Sequence, residues 1–197
     1  MNLKRYKILA VNGSHNDAGN TAFLLDLILN ELKTFGIDGE VVSAHKAVLS
    51  CKTPFCTSCT TPCAKVCYKD TLMEELLNKM ADADCVIFSS PVYFGSMSAQ
   101  LKCVFDKTRD LRANKKLIGK LGAVVVCGAS KYGGQEMTAS AIQTAMQVDG
   151  MTILAPSSMD LGCGHTAVCA QKPASDDEFA ISRAKMLAHR IKDELFK

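Results

Sequence analysis

Apolar and polar positions along this 197-residue chain fall into alternating blocks, short apolar runs followed by stretches in which apolar residues return every three or four positions. Tyr6 to Asn12 predicts a strand. Leu24, Leu25, Ile28, Leu32 and Phe35 then recur at helical spacing until Gly36 stops the helix. Glu40 to Ala44 predicts a second strand, Thr71 to Met80 a helix, Asp84 to Ser89 a buried strand and Ser98 to Leu111 another helix. Leu121 to Gly128 reads as the fourth strand, Gly134 to Val148 as a helix and Met151 to Ala155 as the fifth strand. Ser175-Asp-Asp-Glu178 has the form of a capping box opening a last helix at about 176–196, with Phe179, Met186, Leu187, Ile191 and Leu195 on its apolar face.

Strands this apolar, each followed by an amphipathic helix, imply a parallel sheet covered on both faces. No repeat or linker divides the pattern, so a single α/β domain over residues 1–197 is expected. Its architecture would be a flavodoxin-like doubly wound five-stranded parallel sheet of order 2-1-3-4-5, which binds ligands beyond the carboxyl ends of the strands near the switch point.

Composition narrows the function classes. The chain has 23 Lys+Arg against 20 Asp+Glu and 48% hydrophobic residues. A net charge of +3, with scattered basic residues, marks neither a nucleic-acid nor a membrane surface. Met1 to Ala10 has only a short apolar run and passes into a strand, so it does not read as a secretory signal, and no stretch of 18 apolar residues occurs. A cytoplasmic, reducing compartment is the expectation, and there cysteines are metal ligands or redox groups rather than a disulfide framework. No Ser-His-Asp, HExxH or paired-carboxylate pattern is visible for hydrolase chemistry.

The loops after strands one, three and four are the chemically unusual ones. Gly13-Ser-His-Asn-Asp-Ala-Gly-Asn-Thr21 leads straight into a helix. Backbone N–H groups and the positive helix end would attract a phosphate there, with Ser14, Asn20 and Thr21 as neutral donors. It has neither the Gly-Lys-Ser/Thr of a P-loop nor the G-x-G-x-x-G of a dinucleotide site. The plainer alternative is that Asn20 or Asp17 only caps the helix. Ser89 to Ser98 is apolar, aromatic and turn-forming, suited to a planar ring, and Gly128 to Glu136 offers a second glycine-rich wall containing Ser130. Either loop alone would pass for an ordinary strand-to-helix turn.

Gly13-Ser14 followed by Gly19-Asn20-Thr21, then Ser90-Pro-Val-Tyr-Phe-Gly95 with Lys102 behind it, then Gly133-Gly-Gln-Glu136, together resemble the NADPH-dependent FMN reductase family, including its iron-sulfur flavoprotein branch. The resemblance spans about Lys7 to Leu154. It implies FMN, with Ser14, Asn20 and Thr21 on the phosphate and Pro91, Val92, Tyr93, Phe94 and Gly95 beside the ring. Ser130, Tyr132, Gly133 and Gly134 would wall the other side. At His15-Asn16 the chain departs from similar proteins, which often carry a Pro and a basic residue, so phosphate binding would rest more on the helix terminus, with His15 supplying part of the charge. The resemblance further implies NAD(P)H as electron donor, a small-molecule or protein acceptor, and a homodimer or homotetramer in which loops of one subunit cover the flavin of another. A carrier without NAD(P)H turnover, or a metal-binding or redox-sensing module, are the competing readings.

Cys51, Cys56, Cys59, Cys63 and Cys67 crowd into 17 residues. They could hold a [4Fe-4S] cluster, a zinc ion or nothing. Spacing allows Cys51, Cys56, Cys59 and Cys67 with Cys63 spare, or Cys56, Cys59, Cys63 and Cys67 with Cys51 spare, and by resemblance the first set is preferred. Cys85, Cys103 and Cys127 read as small buried side chains, and Cys163, His165 and Cys169 form a looser group.

Overall fold

The protein is described by a computed structural model covering residues 5–197. The amino-terminal reading over Met1 to Ala10 therefore falls partly outside the described residues. Lys7–Asn12 (β1), Asp38–Ser43 (β2), Cys85–Pro91 (β3), Leu121–Gly128 (β4) and Thr152–Leu154 (β5) form one parallel sheet in the order β2-β1-β3-β4-β5. This is the expected doubly wound order.

One addition went unforeseen. Val168–Gln171 (β6) pairs with Val125–Gly128 of β4, while β5 pairs with Leu121–Ala123. The fifth sheet position is thus filled by two short strands end to end, interrupted by residues 155–167. At four residues, β6 is too short to stand out from the irregular stretch before it.

Helices cover both faces, as buried parallel strands require. Asn20–Thr34 (α1) and Glu178–Leu195 (α7) bury Leu24, Leu25, Ile28, Leu187 and Ile191 against one side. Leu72–Asp82 (α3), Ala99–Lys107 (α4) and Gln135–Val148 (α6) bury Met73, Leu76, Leu101, Val104 and Ile142 against the other. A six-residue helix, Ala44–Leu49 (α2), follows β2 and separates it from the cysteine loop.

Two expected boundaries shift. The helix expected over Ser98 to Leu111 is broken at Thr108, where the amide of Thr108 bonds the Phe105 carbonyl and Arg109–Ala113 (α5) begins anew. Ser175 caps nothing. Residues 174–176 form a 3-10 turn, and the Asp177 carboxylate instead accepts from Ala180 N at 2.9 Å and Gln171 N at 2.9 Å, starting α7 and fixing β6 to it. Among the described residues, no helix is long and apolar enough to cross a membrane.

Candidate functional site

The loops after β1, β3 and β4 meet at the carboxyl edge of the sheet and are stitched together by buried hydrogen bonds. Gly13 N–H donates to the Ser89 carbonyl at 2.8 Å, and the Ser98 hydroxyl donates to the Gly13 carbonyl at 2.6 Å. A Cβ at Gly13 would stand 2.4 Å from the Ser89 oxygen, so only glycine permits this approach.

Inside the first loop, the side-chain oxygen of the buried Asn12 accepts from the Ser14 amide at 3.1 Å and the Thr21 hydroxyl at 3.0 Å. Asn16 N–H donates to Ser14 Oγ, and Ala18 N–H to Asn16 Oδ1. The loop is held by its own polar side chains. Its outward face is left for a ligand: no side chain caps α1, and the first-turn amides of Asn20, Thr21 and Ala22 have no acceptor within the helix. Such a terminus attracts an anion. Asp17, the one acid in the loop, is ion-paired with Lys46 at 2.6 Å, and this bond holds its carboxyl below the usual range, so its charge is matched.

The predicted donors are not equivalent. The Ser14 hydroxyl accepts from Asn16 and keeps its proton for a ligand. Thr21 spends its proton on Asn12 and so acts through the loop's shape. Asn20 ties the site to the segment before α7, its Oδ1 accepting from Ala174 N at 2.7 Å, which leaves only its amide nitrogen as a donor.

In the second loop, Tyr93 and Ser96 exchange backbone bonds of 3.0 and 3.1 Å around Phe94 and Gly95, both at positive φ (50° and 70°), as a two-residue hairpin turn demands. Val92 N–H donates to the Cys127 carbonyl, which leaves Pro91 and Val92 half-buried at the root of the loop. The amides of Phe94 and Gly95 donate to no acceptor among the described residues, and the Phe94 ring is fully exposed. His15 Nδ1 lies 3.3 Å from the Tyr93 hydroxyl and so joins the first loop to the second.

The third loop closes the wall. Gly134, at φ 95°, packs so that a Cβ would sit 3.2 Å from Gly95 Cα. Ser130 contributes its carbonyl, which accepts from Gly133 N and from Gln135 Nε2, rather than its hydroxyl. Tyr132 is 92% exposed. Beside it a cavity of about 850 Å³ opens toward the start of α7, lined among others by Tyr132, Gly134, Cys169, Lys172 and Phe179.

The cysteine loop lies between α2 and α3, its base closed by Lys52 N–H to the Cys67 carbonyl at 2.9 Å. Cys51 donates to the Ala47 carbonyl, and burial pushes its thiol pKa up. Cys51, Cys63 and Cys67 pack against the same apolar cluster, whereas Cys56 sits 3.9 Å from Arg109 Nη1 and Cys59 is exposed. The expected ligands are thus split between the base and the arc of the loop. Among the described residues, no three His, Cys, Asp or Glu side chains stand together as a metal site. Cys85, Cys103 and Cys127 are buried as expected. Cys163 is exposed, His165 lies edge-on to Phe179, and burial pushes Cys169 up to about 11; the three form no site.

Sequence reasoning passed over two residues. Asn12 is the polar residue ending an apolar strand, directly before a glycine. Lys107 falls on the apolar stripe of Leu101, Val104 and Leu111, and a charge on that stripe was the available signal.

Residues 6–162 match the family described as NADPH-dependent FMN reductase. An iron-sulfur flavoprotein of Methanocaldococcus jannaschii is 33% identical over 187 residues, covering 94% of this chain and 95% of that protein. Among solved structures, the flavodoxin, WrbA-like protein of Agrobacterium tumefaciens superposes with a TM-score of 0.67 at 15% identity over 97% of both chains. RosB, solved with bound 8-demethyl-8-formylriboflavin-5'-phosphate, superposes with a TM-score of 0.70 at 14% identity, covering 95% of this chain and 81% of its own.

Proposed function

Because the chain belongs to the NADPH-dependent FMN reductase family, with the iron-sulfur flavoproteins, we propose that it is an oxidoreductase in which FMN takes two electrons from NAD(P)H and delivers them to a small-molecule or protein acceptor. The observation that carries this reading is the uncapped first turn of α1, set in a pre-built loop against the two ring loops. Bound FMN supplies the chemistry, a ring that accepts hydride at N5.

The chain's own part is holding and shielding. The Ser14 hydroxyl, the Asn20 side-chain amide and the first-turn amides bind the phosphate, while Asn12 and Thr21 keep that loop in shape. The amides of Phe94 and Gly95, which donate to no acceptor among the described residues, would serve the polar edge of the ring. Val92 and Gly134 form the floor between the ring loops. His15, through Tyr93, ties phosphate binding to ring binding. The bare aromatic faces of Phe94 and Tyr132 suit cover by a second copy, which supports a homodimer or homotetramer.

The cysteine loop fits a thiolate-held group by the chemistry of its donors: five soft sulfurs on one loop, with a buried ammonium at its base. We assign Cys51, Cys56, Cys59 and Cys67 to a [4Fe-4S] cluster, which supplies one-electron transfer. Cys51 and Cys67 already flank the closed base, and Cys56 and Cys59 lie on the arc between, which has no regular structure.

Anaerobic mixing of the FMN-loaded protein with NADH or NADPH tests the donor. Loss of flavin absorbance is expected. A flavin that dithionite reduces but neither nicotinamide does would replace this reading with that of an electron carrier.

A further inference from the structure

We propose that Lys107 is the fixed counter-charge of the cysteine loop, a buried ammonium that holds the base of the loop and offsets the negative charge of the cluster bound there. The inference rests on the cluster reading above and adds to it a residue outside the loop. Lys107 ends α4 with only 1% of its surface exposed. Its Nζ donates to the Thr53 carbonyl at 2.9 Å and to Cys67 Sγ at 3.3 Å, and it lies 5.7 Å from the centre of the Tyr68 ring.

None of the ion pairs formed by the described residues includes it. An ammonium buried without an anion is costly, and an apolar side chain in its place would pack against the same core. Within hydrogen-bond reach its Nζ has the Thr53 carbonyl and the Cys67 sulfur, and a thiolate at Cys67 would supply the missing anion. Four thiolates around a cluster carry net negative charge that one buried cation offsets, and it offsets the reduced form, which carries one more electron, more strongly. The two hydrogen bonds span Thr53 and Cys67, the entry and exit of the loop, so the same side chain also fixes the spacing of the base.

The test is anaerobic reconstitution of the full chain with ferrous iron and sulfide, for wild type, Lys107→Gln, Lys107→Met and Lys107→Arg. Iron and sulfide per chain, the cluster's midpoint potential and FMN content are measured. Arg should behave as wild type. Gln and Met should either lose iron or hold a cluster that is harder to reduce, with the reduced-to-oxidised ratio at fixed potential falling about tenfold, or about 59 mV for one electron, while FMN stays bound. If Met fails to fold, the Gln and Arg pair decides. A Gln variant loaded fully at the wild-type potential would overturn the charge role. Wild type that takes up no cluster overturns the reading and this inference together, whereas loaded wild type with unchanged variants overturns this inference alone.

Discussion

The Thr21 hydroxyl donates to the side-chain oxygen of Asn12 over 3.0 Å, so the last residue of β1 and the first turn of α1 hold each other across the phosphate loop. Asn12→Ala leaves the Ser14 amide and Thr21 hydroxyl buried without this acceptor, at a cost of about 1–3 kcal/mol. FMN affinity should fall on the order of tenfold or more in a fluorescence titration. Ser14→Ala should weaken FMN through the lost ligand bond and lower the melting temperature modestly, because the Asn16 amide loses the Ser14 oxygen as its acceptor.

Gly13→Ala should damage the fold itself. The new methyl would meet the Ser89 carbonyl at 2.4 Å, between two central strands that cannot part cheaply. Thermal melts should show a loss of about 1–3 kcal/mol, with FMN unable to restore wild-type stability.

Alkaline pH should unfold the protein through its buried thiols. Burial pushes Cys85 from 9.0 up to about 12 and Cys127 up to about 11. The folded state then keeps protons that the unfolded chain releases, so stability is full below pH 9 and declines as pH rises from there toward 12. Cys85 alone contributes on the order of a few kcal/mol across that window. Denaturant midpoints between pH 7.5 and 11 should fall less steeply for Cys85→Ala than for wild type.

Cys59→Ala should abolish iron and acid-labile sulfide while FMN stays bound, because the flavin loops belong to β1, β3 and β4 and share no side-chain bond with the cysteine loop. Cys63→Ala should keep both. Iron and sulfide assays beside a flavin count on anaerobically purified variants decide the ligand set. Loss of the cluster in Cys63→Ala would move that residue, already packed against the core beside Cys51 and Cys67, into it.

The sheet order was legible because strands buried on both faces are written as apolar runs, as in Val124 to Val126, whatever lies around them. Short elements were not. Ala44–Leu49 and Val168–Gln171 span too few residues to show a period, and each depends on neighbours distant in sequence. The start of α7 is ambiguous in the sequence because Ser175 and Asp177 are both good caps locally, and only the contact of Asp177 with Gln171 of β6 selects between them. In the site, the loops were visible as runs of Gly, Ser, Asn and Thr. The division of labour among them was not, since Thr21 and Ser14 look alike until Asn12 is seen to take the proton of one and leave that of the other.

An ultraviolet-visible spectrum of protein expressed with ample iron and purified without oxygen, taken before and after NAD(P)H, reads flavin, cluster and electron donor together. Flavin bands over a broad iron–sulfur absorption are expected, with the flavin bands lost on adding the nicotinamide. Protein supplied with FMN that shows no flavin band, or a flavin band that persists under excess NADH and NADPH, would overturn the assignment as an NAD(P)H-dependent flavoprotein.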